Sequence, residues 1–221
     1  MAQDLTLYGA PLSPFYERVV LLLALKGEDD AVAKPGIPGG SLASAEYRKI
    51  NPVGKIPALS VGDEILVESR AILAFLDRRF PDPALMPTDP LTAGRAEMLA
   101  ELGDNYVMPN LGAFFRLSAQ GIFTGEQVDQ AKAALLKSLD DLEHFFATDP
   151  FAVADQWTRA DVVLLPILFF VAAMDAIYKY GGFEGREKLA GWYARIIQTP
   201  EGAASIERLQ TALDAYRASK A

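Results

Sequence analysis

Cysteine is absent from this 221-residue chain, and histidine occurs only once, at His144. Without cysteine the chain forms no disulfide and has no thiolate nucleophile of its own. A single histidine would need carboxylate help to hold a metal, and it disfavours a histidine-based catalytic triad. The composition therefore predicts no metal site and no catalysis by a protein thiol.

Basic residues and long apolar runs are also scarce. The chain has 21 lysines and arginines against 29 acidic residues, a net charge of −8. Without a basic cluster it has no electrostatic footprint for nucleic acid or an anionic membrane surface. The longest apolar run, Val162–Ala173, is about 12 residues, whereas a membrane span needs about 20. The polar start, Met1–Asp4, does not resemble a signal peptide, so a cytoplasmic protein is expected.

The length and the 51% hydrophobic content allow one large or two small globular domains. Four prolines, at positions 81, 83, 87 and 90, fall within ten residues and indicate a linker. The predicted division is a first domain over residues 1–80, a linker over 81–91 and a second domain over 92–221.

The first domain predicts the element order βαβαββα. Leu5–Tyr8 alternates as a strand, and a helix follows that begins at Ser13-Pro14 and ends at Gly27. A second strand can come only from Ala31–Lys34. The remaining elements are a short helix at 44–49, strands at 58–61 and 65–67 joined by a hairpin turn, and a helix at 69–79.

The second domain is helical throughout. Apolar spacing predicts helices over 92–120, 126–147, 159–180, 184–198 and 202–219. Thr158 and Asp161 have the spacing of a capping box at the start of the third of these helices. That role concerns folding rather than catalysis.

Two neighbouring segments of the first domain suggest a ligand site. The first, Asn51-Pro52-Val53-Gly54-Lys55-Ile56-Pro57-Ala58-Leu59, is a loop that enters a buried strand. Pro57 lies at the mouth of that strand, where a cis bond would turn the Ile56 backbone outward as a free edge.

The second segment, Val67-Glu68-Ser69-Arg70-Ala71-Ile72, passes from a strand into a helix, with Ser69 as the expected N-cap. A helix N-terminus with a hydroxyl group favours an anion. Together the two segments predict a groove for a peptide-sized ligand that carries carboxylates.

These segments resemble the two main glutathione-binding signatures of the cytosolic glutathione transferases. The segment around Ser13 is similar to the corresponding segment of the serine-type and omega-like, bacterial-type members; it reads Leu12-Ser13-Pro14-Phe15-Tyr16-Glu17-Arg18-Val19. The resemblance implies an α/β N-terminal thioredoxin-like domain, an all-α C-terminal helical domain and a homodimer. It also implies glutathione as the co-substrate.

In that family Ser13 would donate to the sulfur of glutathione, with Tyr8 and Tyr16 as alternative donors. Lys55, Ile56, Pro57, Glu68 and Ser69 would bind the tripeptide, and Asp104 would reach its γ-glutamyl amine across the dimer. The stretch 41–44 has no lysine or arginine, so one basic contact common in the serine branch is missing. A pocket between the domains would hold a small apolar electrophile, lined by Leu12, Phe15, Tyr106, Met108, Asn110, Phe114 and Phe115.

The leading interpretation is a glutathione transferase that activates the thiolate for attack on an apolar, aromatic electrophile. A glutathione-dependent lyase or isomerase would have a similar site. A non-catalytic glutathione-binding or regulatory protein is the alternative of another class. Product analysis separates the first three, and the absence of any turnover marks the last.

Overall fold

The computed structural model describes residues 4–147 and 150–219. Within them, contacts divide the chain into two compact units. One unit comprises the residues up to Ala84 together with those from Ala204 onward, and the other comprises Leu85–Ala203. The sequence placed the last segment in the second domain. It belongs with the first unit because Ser205 and Arg208 both bind Glu17 there.

A four-stranded mixed sheet forms the centre of the first unit. Its strands are β1 (Leu5–Tyr8), β2 (Val32–Ala33), β3 (Ala58–Val61) and β4 (Glu64–Val67), in the order β2-β1-β3-β4. β2 pairs parallel to β1, and the other pairings are antiparallel. The predicted second strand is confirmed, although it has only two residues.

Three helices of this unit lie between or after its strands in the sequence: α1 (Pro14–Lys26), α2 (Ala45–Ile50) and α3 (Ser69–Arg79). Ser13 caps α1, Pro14 is its first residue, and Gly27 ends it at a φ of 68°, in the left-handed region that favours glycine. The predicted order βαβαββα is confirmed.

Part of the predicted linker is fixed to the first unit by a buried lysine. Lys26 Nζ donates to Asp77 Oδ1 at 2.6 Å and to the Pro83 carbonyl oxygen at 2.5 Å. Its side chain is fully buried. The chain is therefore held against α1 and α3 before it enters the second unit.

The second unit is helical, with α4 (Pro90–Leu102), α5 (Met108–Ala119), α6 (Glu126–Phe145), α7 (Arg159–Tyr178) and α8 (Glu187–Ile196). The last helix, α9 (Pro200–Ala218), continues into the C-terminal part of the first unit. The single helix predicted over 92–120 is instead interrupted by a π-helical turn, Gly103–Val107. A Cβ on Gly103 would lie 2.6 Å from Leu164 Cδ2, so only glycine allows α7 to come this close.

Helix α7 is the core of the second unit, and the predicted capping box at its start is confirmed. The uninterrupted apolar run in its sequence is too short for a membrane span. The helix itself has 20 residues and contains an 18-residue stretch with a mean hydropathy of 2.2, so it is long and apolar enough by those two measures. Because 72% of that stretch is buried, its apolar character is accounted for by packing inside the protein.

Candidate active site

The register of the sheet brings the predicted ligand-binding segments to one end of the first unit. Tyr8, the last residue of β1, pairs with Ala58, the first residue of β3, and Ala58 pairs with Val67, the last residue of β4. The Ser13 loop, the Ile56-Pro57 segment and Glu68-Ser69 adjoin these three residues. They therefore leave the sheet at the same end.

Ser13 lies half-buried at the N-terminus of α1. Its Oγ accepts a long hydrogen bond, 3.3 Å, from the Tyr16 backbone N–H. Among the residues that the structure describes, no group accepts a hydrogen bond from the Ser13 hydroxyl. The hydroxyl proton is therefore available to a ligand.

The two tyrosines near Ser13 have different surroundings. Tyr16 is buried against Gly9, where an added Cβ would lie 2.0 Å from Tyr16 Cδ2. Burial raises the pKa of the Tyr16 hydroxyl, with a smaller contribution from the charge of Glu17. Tyr8 is half-buried at the end of β1. The position of Tyr16 is that of a packing residue.

The loop before β3 is held in place by two side-chain hydrogen bonds to one of its carbonyl oxygens. Tyr47 Oη and Asn51 Nδ2 both donate to the Lys55 carbonyl oxygen, at 2.5 and 2.7 Å. The Ile56–Pro57 bond is cis, as the sequence predicted. The Ile56 backbone N–H and C=O make no hydrogen bond to any of the described residues, and the Lys55 side chain is exposed. The roles of Tyr47 and Asn51 in this loop were not predicted, because neither contact follows from a local sequence pattern.

Glu68 and Ser69 differ from the prediction by one position. Glu68, not Ser69, is the N-cap residue, and it has a φ of 67°, unusual for a residue other than glycine. Such a backbone costs on the order of 1–3 kcal/mol, and strain of this kind is concentrated at functional sites. The Glu68 side chain is exposed, whereas Ser69 is buried.

Ser69 is connected to α1 through Arg18, which the sequence analysis did not identify. The Arg18 guanidinium is fully buried, lies 4.8 Å from the centroid of the Phe15 ring, and donates to Ser69 Oγ at 3.3 Å. Because arginine has no acceptor, this bond uses a lone pair of Ser69 and leaves the Ser69 proton for another partner. Two residues 51 positions apart thus join the N-terminal parts of α1 and α3.

The predicted residues of the second unit have mixed surroundings. Asp104 is half-buried in the π-helical turn, and Tyr106 in the same turn is 57% exposed. Met108 is half-buried at the start of α5, and Phe115 is half-buried with its ring 5.4 Å from that of Phe170.

Two of the side chains named for the pocket make contacts within the second unit. Phe114 is fully buried, with its ring 4.8 Å from that of Tyr178. Neighbouring residues on a helix face different directions, which is why Phe114 is buried while Phe115 is partly accessible. Asn110 Nδ2 donates to the Ala134 carbonyl oxygen at 3.1 Å and so connects α5 to α6.

Comparisons with known proteins match both parts of the chain to one family. The model of the glutathione S-transferase N-terminal domain matches residues 7–84, and that of the C-terminal domain matches residues 106–200. Glutathione S-transferase 3 of Zea mays is 32% identical over 173 residues, which cover 74% of this chain and 78% of the relative. Maleylacetoacetate isomerase of Pseudomonas aeruginosa is 33% identical over 168 residues, or 72% of this chain and 79% of the relative.

A solved structure shows the same fold. Glutathione S-transferase III in its apo form matches with a TM-score of 0.76 and 28% identity, covering 92% of this chain and 96% of that chain. The thioredoxin-like sheet domain and the helical domain predicted from the sequence are confirmed. This chain therefore belongs to the cytosolic glutathione S-transferase family and is a glutathione transferase enzyme.

Proposed function

We propose that this protein is a serine-type glutathione transferase in which Ser13 stabilises the thiolate of bound glutathione. The observation that carries the proposal is the hydroxyl proton of Ser13, which has no acceptor among the described residues, at the N-terminus of a 13-residue helix. A free thiol has a pKa of about 8.5 and is mostly protonated at neutral pH. A hydroxyl donor and a helix N-terminus both favour the charged form.

The tripeptide would bind along the edge that Ile56 leaves open. The Ile56 backbone N–H and C=O, free of partners among the described residues, would pair with the cysteinyl unit as an added strand does. The Lys55 ammonium would bind the glycine carboxylate. Glu68 would accept from the γ-glutamyl amine, and Ser69 with the α3 N-terminus would bind the γ-glutamyl carboxylate. Pro57 fixes the direction of this edge.

The reaction that follows from this site is thiolate attack on an electrophilic carbon. The sulfur lone pair forms a carbon–sulfur bond. Either a leaving group departs with the electrons of its bond to carbon, or the π electrons of a carbon–carbon double bond move to the neighbouring carbon, which then takes a proton. The proposed electrophile is small, apolar and aromatic. Support comes from accessible apolar side chains at Leu12, Phe15, Tyr106, Met108 and Phe115. We further propose a cytoplasmic homodimer in which Asp104 contacts the γ-glutamyl amine across the interface.

An isomerase activity is the second candidate, favoured by the 33% identity to maleylacetoacetate isomerase of Pseudomonas aeruginosa. An isomerase adds the thiolate to a double bond and expels it again after rotation, so free glutathione is returned. A transferase consumes it. Measuring free thiol before and after complete conversion of the electrophile separates the two.

The test of the proposal is an ultraviolet titration of the thiolate of bound glutathione. In the wild type we expect a thiol pKa at least about one unit below that of free glutathione, and in Ser13→Ala a return towards the free value. Glu68→Gln is the matched control. It should weaken glutathione binding by about tenfold, because a charged hydrogen bond is lost, and leave the thiol pKa unchanged. Equal pKa values in the wild type and Ser13→Ala would move the role to Tyr8 or Tyr16.

A further inference from the structure

A buried carboxyl group that the proposed reaction does not use belongs to the first turn of helix α1, four residues after Ser13. The Glu17 backbone N–H donates to the Ser13 carbonyl oxygen at 2.9 Å, and the Glu17 residue is only 1% exposed. Residues four apart on a helix have Cβ atoms about 5–6 Å from each other on the same face. Glu17 therefore lies about one helical turn along the chain from Ser13, and its ionised carboxylate would add a negative charge near the proposed sulfur position.

Helix α9 supplies the partners of this carboxylate. Ser205 Oγ donates to Glu17 Oε1 at 2.7 Å, and Arg208 Nη2 donates to the same oxygen at 2.7 Å. Arg208 Nε lies 3.2 and 3.3 Å from the two carboxylate oxygens. Ser205 is fully buried, whereas the Arg208 side chain is 34% exposed.

The surroundings of Glu17 have opposing effects on the pKa of its carboxyl group. Burial raises the pKa of the Glu17 carboxyl, and so does the charge of Asp29 in the short 3-10 turn Asp29–Ala31. The hydrogen bond and charge of Arg208 lower this pKa, as does the hydrogen bond from Ser205. Tyr16, the preceding residue, also interacts with Glu17, because the charge of Glu17 raises the pKa of the Tyr16 hydroxyl. Arg208 is therefore the cation that compensates this carboxylate.

We propose that the Glu17–Arg208 ion pair is a second determinant of thiolate stability in this enzyme. Arg208 cancels a negative charge that would otherwise repel an anionic sulfur at the N-terminus of α1. Both are positioning residues, since neither is placed against the sulfur. The inference rests on the proposed function, because it takes the sulfur to lie beside Ser13.

The test uses charge changes that preserve shape, in the same titration of bound glutathione. Glu17→Gln keeps an oxygen that accepts from Ser205 and Arg208 but leaves the guanidinium uncompensated. Because arginine does not lose its proton, the thiol pKa should fall by about half a unit to one unit, a threefold to tenfold rise in the ratio of thiolate to thiol. The double variant Glu17→Gln/Arg208→Gln should return to within about 0.2 unit of the wild type. Ser205→Ala, which removes a hydrogen bond and no charge, should leave the thiol pKa unchanged.

A purely structural role predicts a different pattern. All three variants would then lower the melting temperature, and none would shift the thiol pKa; an unshifted Glu17→Gln overturns the inference. If Glu17→Gln does not fold, Arg208→Gln is compared with the double variant. We expect a higher thiol pKa in Arg208→Gln, because Glu17 is then uncompensated, and a value that is not higher overturns the inference equally. Ser13→Ala in the same series separates the two proposals. A shift in Ser13→Ala without one in Glu17→Gln rejects only the ion pair, whereas no shift in Ser13→Ala rejects the proposed function.

Discussion

Replacement of Asp161 tests how helix α7 is held in the core of the second unit. Asp161 is fully buried and accepts four hydrogen bonds, two at each carboxylate oxygen. Oδ1 accepts from the Ala152 backbone N–H at 2.7 Å and from Trp192 Nε1 at 2.8 Å. Oδ2 accepts from the Thr158 backbone N–H at 2.8 Å and from Thr158 Oγ1 at 2.7 Å. One side chain thus connects the loop before α7, the start of α7 and the ring of a residue in α8.

The magnitude follows from the donors left behind. Asp161→Ala would leave four buried donors without their acceptor, each of which costs about 1–3 kcal/mol. Partial relaxation brings the expected loss to about 4–6 kcal/mol, a large share of the 5–15 kcal/mol that typically stabilises a domain. Asp161→Asn keeps one oxygen and so one pair of bonds, and we expect about half that loss.

The assay is urea unfolding followed by far-ultraviolet circular dichroism and by tryptophan fluorescence. With a slope near 2 kcal/mol per M, Asp161→Ala should lower the midpoint by about 2–3 M. Asp141→Ala is the matched control, because it is also an aspartate in a helix, paired with Lys137 at 2.5 Å but 45% exposed. A surface pair of this kind contributes about 0–1 kcal/mol. If the two variants were equally stable, the reasoning about the four buried bonds would be refuted.

Two further substitutions test packing in the two units. Lys26→Met removes a fully buried ammonium that connects Asp77 to the Pro83 carbonyl oxygen, and it should cost about 3–5 kcal/mol in urea unfolding; a loss under about 1 kcal/mol would contradict the contact. Gly103→Ala places a Cβ 2.6 Å from Leu164 Cδ2 and should cost about 1–3 kcal/mol. Gly103→Ala/Leu164→Ala should lose less than the sum of the two single variants, and strict additivity would argue against the close approach.

The sequence predicted those elements whose cause is local. Ser13-Pro14 and Gly27 define the ends of α1 through hydrogen bonds and backbone preferences that lie within a few residues. The Thr158–Asp161 capping box is local in the same sense, and its two arms form as expected. What the sequence missed there is the use of the second carboxylate oxygen by Ala152 and Trp192, since neither contact has a fixed spacing.

Long-range contacts of buried polar groups gave no signal in the sequence. Arg18 and Ser69 are 51 residues apart, and Glu17 and Ser205 are 188 apart. Arg18 and Glu17 interrupt the apolar pattern of α1 with charges that would ordinarily face solvent. Their burial becomes understandable only once the partners from α3 and α9 are known.

The topology of the sheet explains why three segments far apart in the sequence leave it at the same end. β1 ends, β3 begins and β4 ends at the same rung, Tyr8–Ala58–Val67, because each neighbouring pair among them is antiparallel. The segments that leave this rung present a hydroxyl, a free backbone edge and a helix N-terminus, which are all groups suited to a ligand with negative charges. A negatively charged ligand binds poorly where the buried charges near it sum to a negative potential. Arg208 pairs with the Glu17 carboxylate and Arg18 donates to Ser69, so the negative charge of Glu17 is compensated where the proposed thiolate would form.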